Sequence, residues 1–350
     1  MDLYFLHHEE FLERYNCSMK TDQQWANEGS PSFLVGGFCV GIGSLYLTLH
    51  IPCLIVMKKP ELFAHSCFKV MFFLGILDCM SIVYNCLLGG IFSLLGLVAC
   101  PYVVMHYFVG ASSIAVWCTQ CGMCILLTLN RCSDLWNVWF LQKLYEGKKV
   151  YAAIAIPFFY GLFALWFTRG CQFSSKAYAY FFDPYFLIDG LEVDHSYYSG
   201  YLLSVNNIAV SSRLTTLHIF LLTTVWWKTR GASTANLSKL QRQLFLQAFC
   251  VCSLNFMAAS LYVYMQFFSV PYFLILVAEF TWQGSTGGAV FIYLVLNRTI
   301  RSGVINLFCG KKMSSNSTHP TRSVTYGDST GRNTSSTVTI TASRTDTTYF

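Results

Sequence analysis

The residues able to do chemistry in this chain are polar groups set inside long apolar runs. Glu279, Gln283, Thr286, Val290, Tyr293 and Asn297 recur at intervals of three and four, so they share one face of an α-helix. Five of those six are polar, with Trp282 beside them, and such a stripe must turn into a bundle rather than toward lipid. Asp78 lies nine residues beyond Lys69, about 13 Å along a helix. Asn206, Asn207 and Arg213 occupy a further run, with Arg213 about 18 Å from its start at Tyr201.

A charge at such depth in lipid is costly, so each of these groups is a candidate binding residue. Arg213 requires a carboxylate. Glu279, about 12 Å from the outer end of its run, matches Arg213 in depth better than Asp78 does, and the two are expected to lie close. Asp78 reads as the seat of an ion or of a water-bridged network, or as a protonated acid bonded to Asn85 or Tyr293. His50, His106 and His218 read first as packing residues; His106, near the outer end of its run, is the best placed to meet a ligand. No phosphate-cradling loop, metal-ligand spacing or nucleophile constellation occurs, so binding is expected rather than catalysis, without metal or cofactor. The last run has no lysine, which excludes a retinal Schiff base there.

The elements that must position these groups are seven apolar stretches: 33–57, 70–92, 101–129, 150–167, 201–227, 244–268 and 273–296. Each is long enough to cross a bilayer, where no water can satisfy a broken backbone, so each should be helical. The chain is 54% hydrophobic and 11% charged, against about 25% charged in a soluble domain. The expected fold is an all-α membrane protein, a seven-transmembrane helix bundle. It would occupy 33–310, between an N-terminal tail, 1–32, and a disordered C-terminal tail, 311–350.

Loop charge sets the sidedness. Lys58, Lys59 and Lys69 lie in the first connection, Arg131, Lys143, Lys148 and Lys149 in the third, and Lys228, Arg230, Lys239 and Arg242 in the fifth. Arg298, Arg301, Lys311 and Lys312 follow the last run, while the second and sixth connections hold no Lys or Arg and the fourth only Arg169 and Lys176. Basic loops stay in the cytoplasm, so the N-terminus is expected outside and the C-terminus inside a plasma membrane. The net charge of +6 is thus a membrane signature and gives no reason to expect nucleic acid.

On the expected outer side, Asn16-Cys17-Ser18 is a glycosylation sequon on Asn16. Of 15 cysteines only Cys17, Cys100 and Cys171 fall there, where a disulfide persists. Cys100 with Cys171 is the favoured pair, with Cys17 the competing partner of either. The outer loop 168–200 carries Phe173, Tyr178, Tyr180, Phe181, Phe182, Tyr185 and Phe186, and reads as a pocket lid or as interfacial padding. On the inner side, Arg131 in Leu129-Asn130-Arg131-Cys132 has the position of a snorkelling anchor, available to a partner protein. Cys309, after the amphipathic Arg301–Phe308 stretch, is a candidate palmitoylation site. Of the last 40 residues, 19 are Ser or Thr, too polar to fold. Phosphates there would dock an arrestin-like basic adaptor, and the closing Thr348-Tyr349-Phe350 fits the Ser/Thr-x-apolar pattern of strand-adding, PDZ-type modules.

A set of ordered motifs resembles the nematode serpentine receptors of class T, which are rhodopsin-like chemoreceptor candidates. They are Tyr15-Asn16-Cys17-Ser18, Pro52-Cys53-Leu54, Cys67-Phe68-Lys69-Val70-Met71, Gly75-Ile76-Leu77-Asp78, Asn130-Arg131-Cys132, Asn206-Asn207, Trp282-Gln283 and Ile292 to Arg301. The resemblance implies a G protein-coupled receptor that converts binding of a small molecule into heterotrimeric G-protein activation. The residues themselves give the candidate ligand contacts, His106, Asn206, Asn207, Arg213, Glu279, Trp282 and Gln283, and an ion or switch role for Asp78, Tyr293 and Asn297; the resemblance adds that Asp78 is similar to a sodium-site carboxylate. Arg131 resembles the arginine that engages the G protein, though Asn130 and Cys132 replace its usual acidic and aromatic neighbours. A ligand-gated channel or a secondary transporter is the alternative; the chain has no evident internal repeat of the transporter kind.

Overall fold

The computed structural model describes residues 1–136, 139–230, 239–268 and 270–309. The C-terminal expectations (phosphoacceptor tail, PDZ-type ending, Lys311 and Lys312) lie outside the described residues, as do the side chains of Lys228, Arg230, Lys239 and Arg242. Residues 1–32, which composition marks only as a tail, form three short helices: α1 (Asp2–Phe5), α2 (His8–Arg14) and α3 (Asp22–Glu28). A capping box between Thr21 and Gln24 starts α3 by satisfying two backbone donors that a free helix end would leave open.

Helix α4 (Phe33–Met57) begins the bundle, and the short α5 (Pro60–Phe63) turns the chain into α6 (Ser66–Ile82). A π-helical turn, Val83–Leu88, joins α6 to α7 (Gly89–Leu95) as one rod. Then follow α8 (Val103–Trp136), α9 (Trp139–Tyr145) and α10 (Lys149–Phe167). The loop 168–200 contains a two-stranded antiparallel hairpin, β1 (Gln172–Ser174) with β2 (Ala179–Phe181). The remaining elements are α11 (Tyr201–Arg230), α12 (Lys239–Phe267), α13 (Tyr272–Gly287), α14 (Ala289–Leu296) and the amphipathic α15 (Arg298–Phe308).

Among the described residues, five helical stretches are long and apolar enough to cross a membrane: Phe33–Met57, Ser66–Leu95, Val103–Ser133, Lys149–Phe167 and Leu246–Met265. Two other expected spans fall short for identifiable reasons. Helix α11 is diluted by Asn206, Asn207, Ser211, Ser212, Arg213, Thr215 and Thr216. The last rod is broken between α13, 16 residues, and α14, 8 residues, so neither piece reaches across a bilayer alone. The break falls where a Cβ on Gly287 would lie 2.0 Å from the Tyr46 ring of α4, a contact only glycine permits.

Helix α8 is the axle of the bundle, packing on α6, α10, α11 and α12. Within its most apolar window 78% of residues are buried, against 28% in α4, which spends its apolar surface outward. Ile156, Phe159, Leu162 and Phe163 of α10 are likewise exposed. Patches of that kind aggregate in water and are at rest in acyl chains. The chain is a multi-pass membrane protein.

A candidate ligand cavity above buried polar clusters

One end of the bundle is closed by the N-terminal helices and the loop 168–200 together. Trp25 is 1% exposed and its indole N–H donates to the Cys17 carbonyl at 2.7 Å. The Tyr185 hydroxyl bridges the carbonyls of Arg14 and Asn16, and Phe11 and Tyr15 set their rings edge-on to Tyr107 of α8. Glu28 ties the two layers electrostatically: Lys176 of the loop lies 2.6 Å away, and Lys20 is its second partner. Hydrogen bonds from Lys176 and then Lys20 hold the Glu28 carboxyl below its ordinary range.

The disulfide corrects the expected pairing. Cys17 is bonded to Cys100, and Cys171 is a buried free thiol. Cys17, the competing partner, takes the place of Cys171 in the favoured pair. The packing of α2 and α3 brings Cys17 within a Cα separation of 5.6 Å of Cys100. Cys171 lies against α8 by its backbone, with its carbonyl oxygen 1.8 Å from where a Cβ on Gly110 would stand.

Beneath this cover is a cavity of about 260 Å³. Its walls are Ile114 and Trp117 of α8, Leu203 and Asn207 of α11, Tyr262 and Met265 of α12, and Ile275 and Trp282 of α13. The loop supplies Cys171, Tyr180, Phe181, Phe182 and Phe186, so the aromatic segment does cover a pocket. Trp282 meets Trp117, Tyr262 and Tyr180 edge-on at 5.9–6.4 Å between centroids. The Trp117 N–H donates to Asn207 Oδ1 at 2.9 Å, fixing the orientation of that amide.

A column of buried polar side chains continues below. The Tyr262 hydroxyl reaches Glu279 Oε2 at 3.5 Å, and Gln283 donates to Glu279 Oε1 at 3.3 Å and to the Asn85 carbonyl at 3.3 Å. Asn85 sits in the π-helical turn and bonds Ser81 and Ser113 at 3.1 Å each. Further down, Gln120 donates to Asp78 Oδ1 at 2.7 Å, with His50 Nε2 4.0 Å from Oδ2. Tyr293, 1% exposed, lies within electrostatic range of Asp78. Asn297 donates to Gln247 at 2.9 Å and caps α15 by accepting from Thr299 and Ile300. At the opposite end of the bundle Arg131 donates to Asn130, whose amide reaches Ser66 of α6 at 3.2 Å.

The expected site residues therefore separate into groups. Asn207 and Trp282 line the cavity. Asn206 supports it from behind, donating to Asn207 and accepting from Tyr160. Glu279 is 4% exposed and lies behind Tyr262, outside the cavity lining. Gln283 reaches a separate crevice between α4 and α13, beside Tyr46 and Phe280. His106 is fully buried between Phe92 and Phe173, away from the cavity. Arg213 overturns the expected approach to Glu279: it is exposed, and among the described residues no ion pair joins them. Its stripe runs from Asn206, which faces Tyr160 of α10, so the shared face points at α10 rather than α13. Nor is Asp78 bonded to Asn85; Gln120 takes that place. Sequence reasoning missed Gln120, Gln247 and Tyr262. Gln120 and Gln247 carried the same signal as Asp78, a polar group inside an apolar run.

Comparison with known proteins agrees with this architecture. The family model described as "Serpentine type 7TM GPCR chemoreceptor Srt" matches residues 1–317. Serpentine receptor class T-55 of Caenorhabditis elegans is 25% identical over 302 residues, covering 84% of this chain and 80% of that protein. Family match, ordered motifs and helical architecture lead to one assignment: the chain belongs to the Srt family of serpentine chemoreceptors.

Proposed function

We propose that the chain spans the plasma membrane seven times with its N-terminus outside, binds a small molecule in the covered cavity and activates a heterotrimeric G protein. Separate clusters of buried polar groups stacked through the bundle carry this reading: Glu279 and Gln283 at the Asn85 carbonyl, Gln120 on Asp78, Asn297 on Gln247, and Arg131 on Asn130. Buried polar networks have discrete bonding arrangements, so a ligand that favours one arrangement shifts the population of the inner end. Helices α11 and α13–α14 complete the seven spans; Asn206 and Asn207 of α11 and Glu279, Gln283 and Thr286 of α13 are buried among neighbours, while Ser212, Arg213, Thr215 and Thr216 of α11 are exposed. The Cys17–Cys100 bond supports the outside N-terminus because disulfides persist in oxidising compartments. Asn16 is exposed and open to glycosylation, and exposed Cys309 at the end of α15 suits palmitoylation. The Ser/Thr-rich tail would serve an arrestin-like adaptor and a PDZ-type module.

The test joins sidedness to output. An epitope ahead of Met1 should be reached by antibody on intact cells, and ligand should drive nucleotide exchange on a co-expressed G protein. Ligand-gated current from the purified protein alone, without such exchange, would establish a channel instead.

A further inference from the structure

We infer that the cavity selects an uncharged, largely apolar molecule bearing a hydrogen-bond acceptor such as a carbonyl or ether oxygen. This rests on the ligand-binding reading above and names its chemistry. Among the described residues, no Asp, Glu, Lys, Arg or His side chain lines the cavity. Burial pushes the Cys171 thiol on its wall up to about 12, so that group is neutral at physiological pH. Glu279 is screened behind Tyr262 and already accepts from two protein donors, so a cationic amine would find no carboxylate to meet. A charged ligand would lose its hydration without compensation.

The wall's hydrogen-bonding capacity is one-sided. Tyr180 donates to the Tyr84 carbonyl, Tyr262 to Glu279, and Trp117 to Asn207, so those protons are committed. Trp117 N–H is donor-only and must meet an oxygen, which assigns Asn207 Oδ1 to it; Asn206 donates to the same atom. The Asn207 NH2 group then has no acceptor among the described residues. Trp282 lines the same space and its buried indole N–H also has no partner. A buried donor left unmet is costly, as at Trp282, and an acceptor atom supplied from outside the protein would meet that N–H and add a bond to the Asn207 NH2. The volume, about 260 Å³, is below the usual 300–1,000 Å³ of drug-sized pockets, so the molecule is smaller than that.

The experiment uses the full chain in lipid nanodiscs and matched sets of probes on one carbon skeleton. Acetophenone, ethylbenzene and 1-phenylethylamine form one set; cyclohexanone, methylcyclohexane and cyclohexylamine form the other. Binding is read from the shift in thermal midpoint with concentration, and G-protein nucleotide exchange is measured in parallel. Ketones should bind about tenfold more tightly than their hydrocarbons, and the ammonium forms least. Trp282→Phe, which keeps an aromatic ring and removes only the donor, should erase much of the ketone preference while hydrocarbon binding persists. Asn207→Leu should do the same, and Trp282→Phe remains informative if that variant misfolds. Equal or tighter binding of the ammonium members overturns the inference, as does an unaltered ketone preference in both folded variants. Ketone binding without exchange on any G protein would retire the signalling reading and leave the ligand class standing; exchange driven by the amines would do the reverse.

Discussion

Asn130 holds Arg131: its carbonyl oxygen accepts from the guanidinium at 2.5 Å, and its amide anchors to Ser66 at the start of α6 at 3.2 Å. A neutral amide thus stands at the position next to Arg131 and engages its guanidinium. Arg131 is 6% exposed, so this arrangement keeps it folded into the bundle.

Asn130→Ala should therefore raise ligand-independent nucleotide exchange. A hydrogen bond to a charged group contributes about 1.5–3 kcal/mol, so an increase of about tenfold is expected where that bond holds the inactive state. Arg131→Ala should leave surface delivery intact and abolish ligand-driven exchange. Unchanged basal exchange in Asn130→Ala, at normal surface level, would show that the bond does not restrain Arg131.

The Cys17–Cys100 bond closes a loop of 83 residues between the N-terminal helices and the start of α8. Replacing either residue with serine should cost about 2–5 kcal/mol and lower the thermal midpoint. Cys171→Ser should do neither. Peptide mapping without reductant provides the independent check, because a Cys100–Cys171 cross-link would reverse the order of effects.

Much of the bundle was readable because lipid imposes a simple rule on the backbone. The run 33–57 became Phe33–Met57, and the stripe from Glu279 to Asn297 is buried at all six positions. Periodicity identifies a face but not the neighbour it meets. Arg213 shows the gap: the face it shares with Asn206 was identified, but its direction depends on how α11 is rotated against α10. The disulfide was hidden for a related reason, since its partner depends on a folded cover whose packing involves residues as distant as Trp25 and Tyr185. The π-helical turn at Asn85 leaves no mark in hydropathy at all.

The clamp between Glu28 and Lys176 should respond to acid. The Glu28 carboxyl is held below its unfolded value of 4.5, so its stabilising contribution is complete above that value. As pH falls below 4.5 and through the lower folded value, protonation removes the attraction and the cover loosens. Hydrogen exchange of residues 20–30 should accelerate over that window in the native chain and be insensitive to it in Glu28→Gln. An identical acid response in both would place the sensitive group elsewhere.

Glu279→Gln separates contact with ligand from transmission. Glu279 accepts from Tyr262 and Gln283 and lies outside the cavity lining, so it senses the cavity only through Tyr262. The substituted amide can still accept from Tyr262, but its NH2 would face the Gln283 NH2, two donors with nothing between them. Gln283 must then turn, and its bond to the Asn85 carbonyl is lost. The expected outcome is a ligand affinity changed by less than about threefold, with a maximal G-protein response reduced severalfold. Asn207→Leu should show the opposite pattern, weakened affinity with a full response at saturation. If Glu279→Gln instead shifted affinity by tenfold or more while preserving the maximum, Glu279 would have to touch the ligand, and the cavity would have to extend past Tyr262.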